Sequence, residues 1–461
     1  MNFLILFIGL FTNYIFGCVF CKNFFFKNNE AVLENFFIKN FFGFFFTSSI
    51  YFFLLFTFNI SPLKILLTEL FFLIIFLYFS KSYLKIFFID KFRFNLKKIR
   101  INFIENKIIY FFLTIYSFIF FFRNIKSPHG EIDAINHWGR GARFLFRDNE
   151  FWTNNFDLRF LFHTDYPLFI QSTVSRIWSL LNFETQLVPI TIHYLFFLGF
   201  PLIFYKLIKK IFSHNISLIS TLFLICFPFY SQVAMSHYAD IQLSFFMFLS
   251  VFFAFNLFIN EKNNINPNLF FFLGFLTGIT SWVKSEGIIF SLIVFLSLIF
   301  VFYLYKEKFF FKKIFYSIFG FFISFIPYLT LHSVFKTKTE ILRFQTLSDK
   351  INFISDYQNV LDVLKCFFME MIKFNNYSLI LLISSIYFLG FQFRKKKHIV
   401  FIFSILFIFL LSYIFFYIFL TPLDPVFHIK TSLNRILFQY HPIIILAFFS
   451  LHTKIKIKNK F

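Results

Sequence analysis

The chain alternates long apolar runs with short polar interruptions. Apolar stretches near 2–20, 41–60, 65–88, 108–122, 186–205, 215–232, 241–259, 269–283, 288–305, 314–332, 375–392, 399–419 and 436–452 approach the roughly 17–25 residues that carry a helix across a bilayer. The pattern predicts an all-α, polytopic transmembrane helical bundle of about thirteen helices, because only closed hydrogen bonding within each segment is tolerated in hydrocarbon. Basic runs punctuate it: Lys91/Arg93/Lys97/Lys98/Arg100, Lys206/Lys209/Lys210, Lys306/Lys308/Lys312/Lys313, Arg394 to Lys397, and Lys454/Lys456/Lys458/Lys460. The excess of Lys and Arg in cytoplasmic loops assigns all of these to one side. Alternation then closes only if 166–184, YPLFIQSTVSRIWSLLNFE, does not cross. Gln171, Ser172, Thr173, Ser175 and Arg176 interrupt its apolar positions, which predicts an interfacial amphipathic helix. Segments 123–185, Ser236 to Asp240, Lys284 to Glu286, 333–374 and 420–435 fall on the extracytoplasmic side. Three stretches follow: N-terminal helices with a basic loop (1–107), a core with one long outer loop (108–332, loop 123–185), and C-terminal helices with outer loops (333–461).

Composition strengthens the membrane reading. Of 461 residues, 59% are hydrophobic, and the mean hydropathy is +0.74, far from a soluble domain. With 94 phenylalanines, Phe is the default apolar residue here, so aromatic stripes read as packing or lipid contact rather than as a binding device. The net charge of +22 is scattered between apolar runs instead of gathered on one soluble domain, which argues against a nucleic-acid partner. Cys18, Cys21, Cys226 and Cys366 form no disulfide framework, and the C-x-x-C at 18–21 lacks neighbouring ligands. Met1 to Phe20 has no basic leader and reads as a retained first helix.

Ionisable groups close to hydrocarbon are costly, and they concentrate in the outer segments. The longest, His129 to Pro167, starts directly after a helix, so Glu131 and Asp133 stand at the interface, where partial desolvation suits a general base. SHYAD (236–240) places Asp240 at the start of the next helix, a position that also suits an N-cap. WVKSEG (282–287) sets Lys284 and Glu286 in a tight outer turn after a short helix, whose Gly274-x-x-x-Gly278 spacing permits close packing. TPLDPVFHIKTSLNR (421–435) carries Asp424, His428, Lys430 and Arg435. A lipid-linked phosphate leaving group needs fixed positive charge, which Lys284, Arg143 or Arg435 supplies. His129, His137, His163, His237 and His428 are also outer residues. His163-Thr164-Asp165 is compatible with a divalent metal, although no pair has a recognised ligand spacing.

The run EIDAINHWGRGARFLFRD followed by HTDYPLF, YADIQLSFF and GFLTGITSWVKSEGIIF resembles bacterial members of the GT-C superfamily of integral-membrane glycosyltransferases. That group includes the protein O-mannosyltransferases and the lipid A aminoarabinose transferases. The resemblance covers about 108–313, with a later patch at Ser432 to Leu446. It implies a sugar donor carried on polyprenyl phosphate, a glycan, lipid or protein acceptor, and an active site outside the bacterial inner membrane. Asp133 matches the family's catalytic acid after a transmembrane helix, with Glu131 beside it. Asp240 matches a second acid, and Lys284 the lysine of an outer turn in which Val283 replaces the usual Thr. Arg143, His163, Asp165, Tyr166, Glu286 and Arg435 complete the expected donor site. Three extra crossings at 1–88 depart from the family pattern. A flippase for lipid-linked sugars would share the helices, but predicts charges at mid-helix and inverted-repeat halves, neither of which the sequence displays. A polysaccharide polymerase or ligase of another fold shares the basic loops and the lipid-linked substrate.

Overall fold

The computed structural model of the protein describes residues 2–24, 32–57, 60–79, 106–147, 152–153, 166–260, 267–335, 355, 357–373, 376–389, 396–421 and 424–453. Helices dominate, and no strand occurs among the described residues. Seven helices are long and apolar enough to cross a bilayer: 35–55, 107–126, 187–211, 240–259, 286–304, 310–335 and 397–420. An eighth crossing arises if 214–225 and 228–235, bent by 56°, count as one. Pro267–Val283 is apolar and 17 residues long, at the lower limit for a crossing, and Asn2–Phe24 and Tyr377–Leu389 are further apolar helices. The protein is a polytopic helical membrane protein.

Its contacts divide it into two compact units. The first contains 1–162, 168–206 and 234–238. It is built from α1 (Asn2–Phe24), α2 (Val32–Leu55), α3 (Pro62–Phe79), α4 (Lys107–Lys126), α5 (Arg140–Arg147), α6 (Phe169–Leu181) and most of α7 (Leu187–Ile211). A π-turn, Ala134–Gly139, leads into α5. Between α1 and α2, Thr47 donates to Asn13 at 2.7 Å, and Phe41 of α2 stacks on Phe196 of α7 with centroids 3.9 Å apart.

Helix α6 corrects the expectation of an amphipathic surface helix at 166–184. All thirteen of its residues are buried, packed by α1, α2, α3 and α5. Its polar groups turn inward: Ser175 and Ser179 hydrogen-bond Tyr51 at 2.8 and 3.0 Å. Arg176 has no exposed surface; its guanidinium grips the Glu69 carboxylate and donates to Thr12 at 2.6 Å. A buried arginine is tolerable only with such a partner, and the sequence has no means of pairing residues 107 positions apart. Thirteen helical residues rise about 20 Å, too little to cross a hydrocarbon layer of about 30 Å.

The second unit contains 163–167, 207–233 and 239–461. It holds α8 (His214–Ile225), α9 (Pro228–Met235), α10 (Asp240–Asn260), α11 (Pro267–Val283), α12 (Glu286–Leu304), α13 (Phe310–Phe335), α14 (Tyr357–Met371), α15 (Tyr377–Leu389), α16 (Lys397–Phe415) and α17 (Pro425–His452). A second π-turn, Phe416–Leu420, prolongs α16. Helices α11 and α13 cross at their glycines: a Cβ on Gly274 would land on the Ser317 carbonyl, and one on Gly320 on the Phe271 carbonyl. This is the close approach that small residues permit between membrane helices. At the α12–α13 turn, Glu307 takes Lys313 at 2.9 Å and also Lys397. Burial pushes its carboxyl up, but the hydrogen bonds and charges of the two lysines outweigh burial and hold it below its ordinary value.

Candidate functional site

In the first unit the chain leaves α4 through a turn that sets the acids. Gly130 adopts a φ of +75°, and a Cβ there would press on the Ser236 carbonyl at 2.6 Å, so glycine is required on both counts. The turn lets the Glu131 amide donate to that carbonyl at 3.3 Å. The Glu131 carboxylate is fully engaged: one oxygen pairs with Arg123, and the other accepts from the Tyr238 hydroxyl at 3.3 Å. Asp133 follows at the start of the π-turn, half-buried, with no side-chain bond capping it. Arg143 contacts His129 Nδ1 at 3.3 Å and Glu184 at 3.6 Å, and Arg147 also grips Glu184, at 2.7 Å through Nη2.

Beneath this turn His237 stacks on His193 at 4.9 Å and meets Asn124 Oδ1 through Nε2 at 2.6 Å. Burial, then the neighbouring His193, His129 and Arg123, push the His237 imidazole well below its ordinary value, so it is neutral at neutral pH. A cavity of about 20 Å³ lies between His129, Trp138, Arg143, Trp178, His193 and His237. That volume suits a water molecule and is too small for a sugar ring.

In the second unit, four of the expected residues converge. Asp240, with no exposed surface, accepts from Lys284 Nζ at 3.0 Å, from Arg435 Nη2 at 2.9 Å and from Gln439 Nε2 at 2.5 Å. Its carboxylate therefore serves three side chains rather than capping α10. Lys284 is buried as well and also reaches Glu286 Oε1 at 2.6 Å. Each partner sits at a helix end or on a helix face: Lys284 between α11 and α12, Glu286 in the first turn of α12, and Arg435 and Gln439 one turn apart on α17. Arg435 is committed to Asp240.

The N-terminal part of α17, which carries Arg435, is tied to its neighbours. Tyr417 bonds Ser432 at 2.8 Å, and Asn434 donates to the buried Glu370 at 3.3 Å while accepting from Asn376 at 3.1 Å. One helical turn beyond Glu286, Ile289 lines an apolar groove of about 450 Å³ with Leu411, Ser412, Phe415, Phe416 and Leu420. Tyr413 and Tyr440 both pack on Phe409: its ring meets Tyr413 edge-on at 5.0 Å and stacks on Tyr440 at 3.8 Å.

The expected residues thus divide between units. Glu131, Asp133 and Arg143 belong to the first; Asp240, Lys284, Glu286 and Arg435 belong to the second. Tyr166 is half-buried in the second unit, and His163 and Asp165 lie outside the described residues. Gln439, Tyr413, Tyr440 and Glu184 escaped the sequence reading. The four-residue step from Arg435 to Gln439 on one helix was the only signal that pointed to any of them. Among the described residues, no group of three His, Cys, Asp or Glu side chains is placed to hold a metal ion. No protein-family model, curated protein or solved structure matches the chain.

Proposed function

We propose that the protein is a glycosyltransferase of the GT-C type, which moves a sugar from a polyprenyl-phosphate carrier to a hydroxyl on the extracytoplasmic face of the membrane. One observation carries this reading: two buried or half-buried cations, Lys284 and Arg435, gather on the Asp240 carboxylate, and Ile289, one helical turn along α12 from the Glu286 that Lys284 also holds, lines an apolar groove. Buried charge is expensive, and a fold that stability alone shaped would do as well with apolar packing. Fixed cations next to apolar surface suit a phosphate on a lipid stem.

In this reading Lys284 and Arg435 hold the phosphate of the donor. A carboxylate removes the acceptor hydroxyl proton, the acceptor oxygen bonds to the anomeric carbon, and the bond from that carbon to the phosphate oxygen breaks. The leaving phosphate gains a negative charge, which the two cations stabilise more strongly than they do the donor. A single displacement inverts the anomeric centre. We assign the base role to Asp133, which matches the acid that follows a transmembrane helix in the GT-C pattern.

The test is release of polyprenyl phosphate from a labelled lipid-linked sugar by purified protein in lipid nanodiscs. Asp133→Asn and Lys284→Gln are each expected to lower release per folded molecule at least about a hundredfold, the scale of losing a general base or a charge-stabilising group, with unchanged yield for Asp133→Asn. Undiminished release in Asp133→Asn would remove its base role. Movement of the lipid between leaflets without release would favour a flippase.

A further inference from the structure

The charges in the second unit balance in a way that conflicts with simple phosphate capture. Lys284 and Arg435 contribute two positive charges, and Asp240 and Glu286 contribute two negative ones. A phosphate entering this cluster meets no net attraction while both carboxylates stay. Asp240 is fully buried and held by three donors, so it is the fixed member. Glu286 is held by Lys284 alone through Oε1; its side chain is 22% exposed, and its Oε2 accepts no hydrogen bond among the described residues.

Two further groups complete the picture. The Tyr413 and Tyr440 hydroxyls are buried and make no hydrogen bond among the described residues, an arrangement that normally costs free energy. Both rings are fixed against Phe409. Phe290, one helical turn beyond Glu286 on α12, packs on the Tyr440 ring with centroids 6.1 Å apart, and Tyr440 shares the Phe409 ring with Tyr413. The protein thus keeps two neutral, rigid donors beside the one carboxylate that has an oxygen to give them.

We infer that Glu286 is an exchangeable anion that tunes the affinity of this site: it rests on Lys284 when no phosphate is bound and shifts to the Tyr413 and Tyr440 hydroxyls when a phosphate takes its place. This rests on reading Lys284 and Arg435 as a phosphate site, and not on sugar transfer itself. After the shift, Lys284, Arg435 and Asp240 sum to one positive charge, which attracts a lipid phosphate, whether a singly charged diester or a more highly charged monoester such as farnesyl phosphate. Return of Glu286 to Lys284 then competes with the bound phosphate and hastens its departure. Glu286 is accordingly a determinant of affinity and release rather than a contact that only adds binding strength.

The experiment measures equilibrium binding of farnesyl phosphate, with farnesol as the uncharged control, to the full chain in nanodiscs. Glu286→Gln is expected to bind farnesyl phosphate about tenfold more tightly than wild type, with farnesol unchanged, because a competing charged hydrogen-bond acceptor is removed. The Tyr413→Phe/Tyr440→Phe pair is expected to weaken binding about threefold in wild type and to have no effect in the Glu286→Gln background. The pair also reports on the exchange should Glu286→Gln fail to fold. Equal or weaker binding by a folded Glu286→Gln overturns the inference, as does an equal effect of the tyrosine pair in both backgrounds, or binding of farnesyl phosphate by none of the proteins. A tenfold gain without release of lipid phosphate from any sugar donor leaves the exchange standing and removes the transferase reading.

Discussion

Lys284 and Asp240 illustrate how a buried charge behaves when its partner is taken away. Replacing Lys284 by Met leaves the Asp240 carboxylate, which has no exposed surface, with only Arg435 and Gln439. A loss of about 3 kcal/mol is expected in unfolding titrations in mixed micelles. Adding Asp240→Asn should recover part of it, since the uncompensated charge is then gone. His237 offers a second test. Its imidazole is held below the ordinary value of 6.5, so the folded state resists the proton that the unfolded chain takes up. Stability is unaffected above about pH 6.5 and falls below it, by up to about 1.4 kcal/mol per pH unit, until the folded value is reached. His237→Gln should flatten that fall in melting curves recorded from pH 7 to pH 5. The residue types were legible in the sequence: Asp240, Lys284, Glu286 and Arg435 stood out as charges in an apolar chain. Their mutual contacts were not, because the partners of Asp240 lie 44 and 195 positions away, and nothing local encodes such a pairing.

At the scale of elements, the spacing of Gly274 and Gly278 foretold a close helix crossing, and α13 is the helix it meets. Gly274→Ala would drive a methyl group into the Ser317 carbonyl. Backbone gives way less easily than a side chain, so a cost of about 1–3 kcal/mol is expected in the same titrations. Gly274→Leu should reduce membrane yield outright. Helix α6 marks where reading by pattern stopped. Its mixture of Ser, Thr, Gln and Arg with apolar residues has the amphipathic signature of a surface helix, and the same mixture serves a buried helix in which Ser175, Arg176 and Ser179 find internal partners. Hydropathy cannot separate these cases; the deciding residues, Glu69 and Tyr51, lie in other helices. Apolar runs were legible as helices, but their ends and surroundings were not: the run read as a surface helix at 166–184 is a buried helix of thirteen residues, Phe169–Leu181.

For the whole molecule, the proposed sidedness can be tested by labelling. In a variant lacking Cys18, Cys21, Cys226 and Cys366, single cysteines at positions 127, 184 and 424 should react with an impermeant reagent added outside intact cells. Cysteines at positions 210, 308 and 396 should react only after the membrane is opened. The opposite pattern would invert the assignment that rests on the basic runs. The buried Arg176 also bears on how much of the chain is indispensable. Its carboxylate partner comes from α3 and its hydroxyl partner from α1. A shortened protein starting at Lys107 would carry α6 with a bare guanidinium where lipid or empty space replaces those helices. Helices α1 and α3 therefore belong to the folding unit that supports the Asp133 turn, and trimming from the front to Lys107 is expected to destabilise that unit.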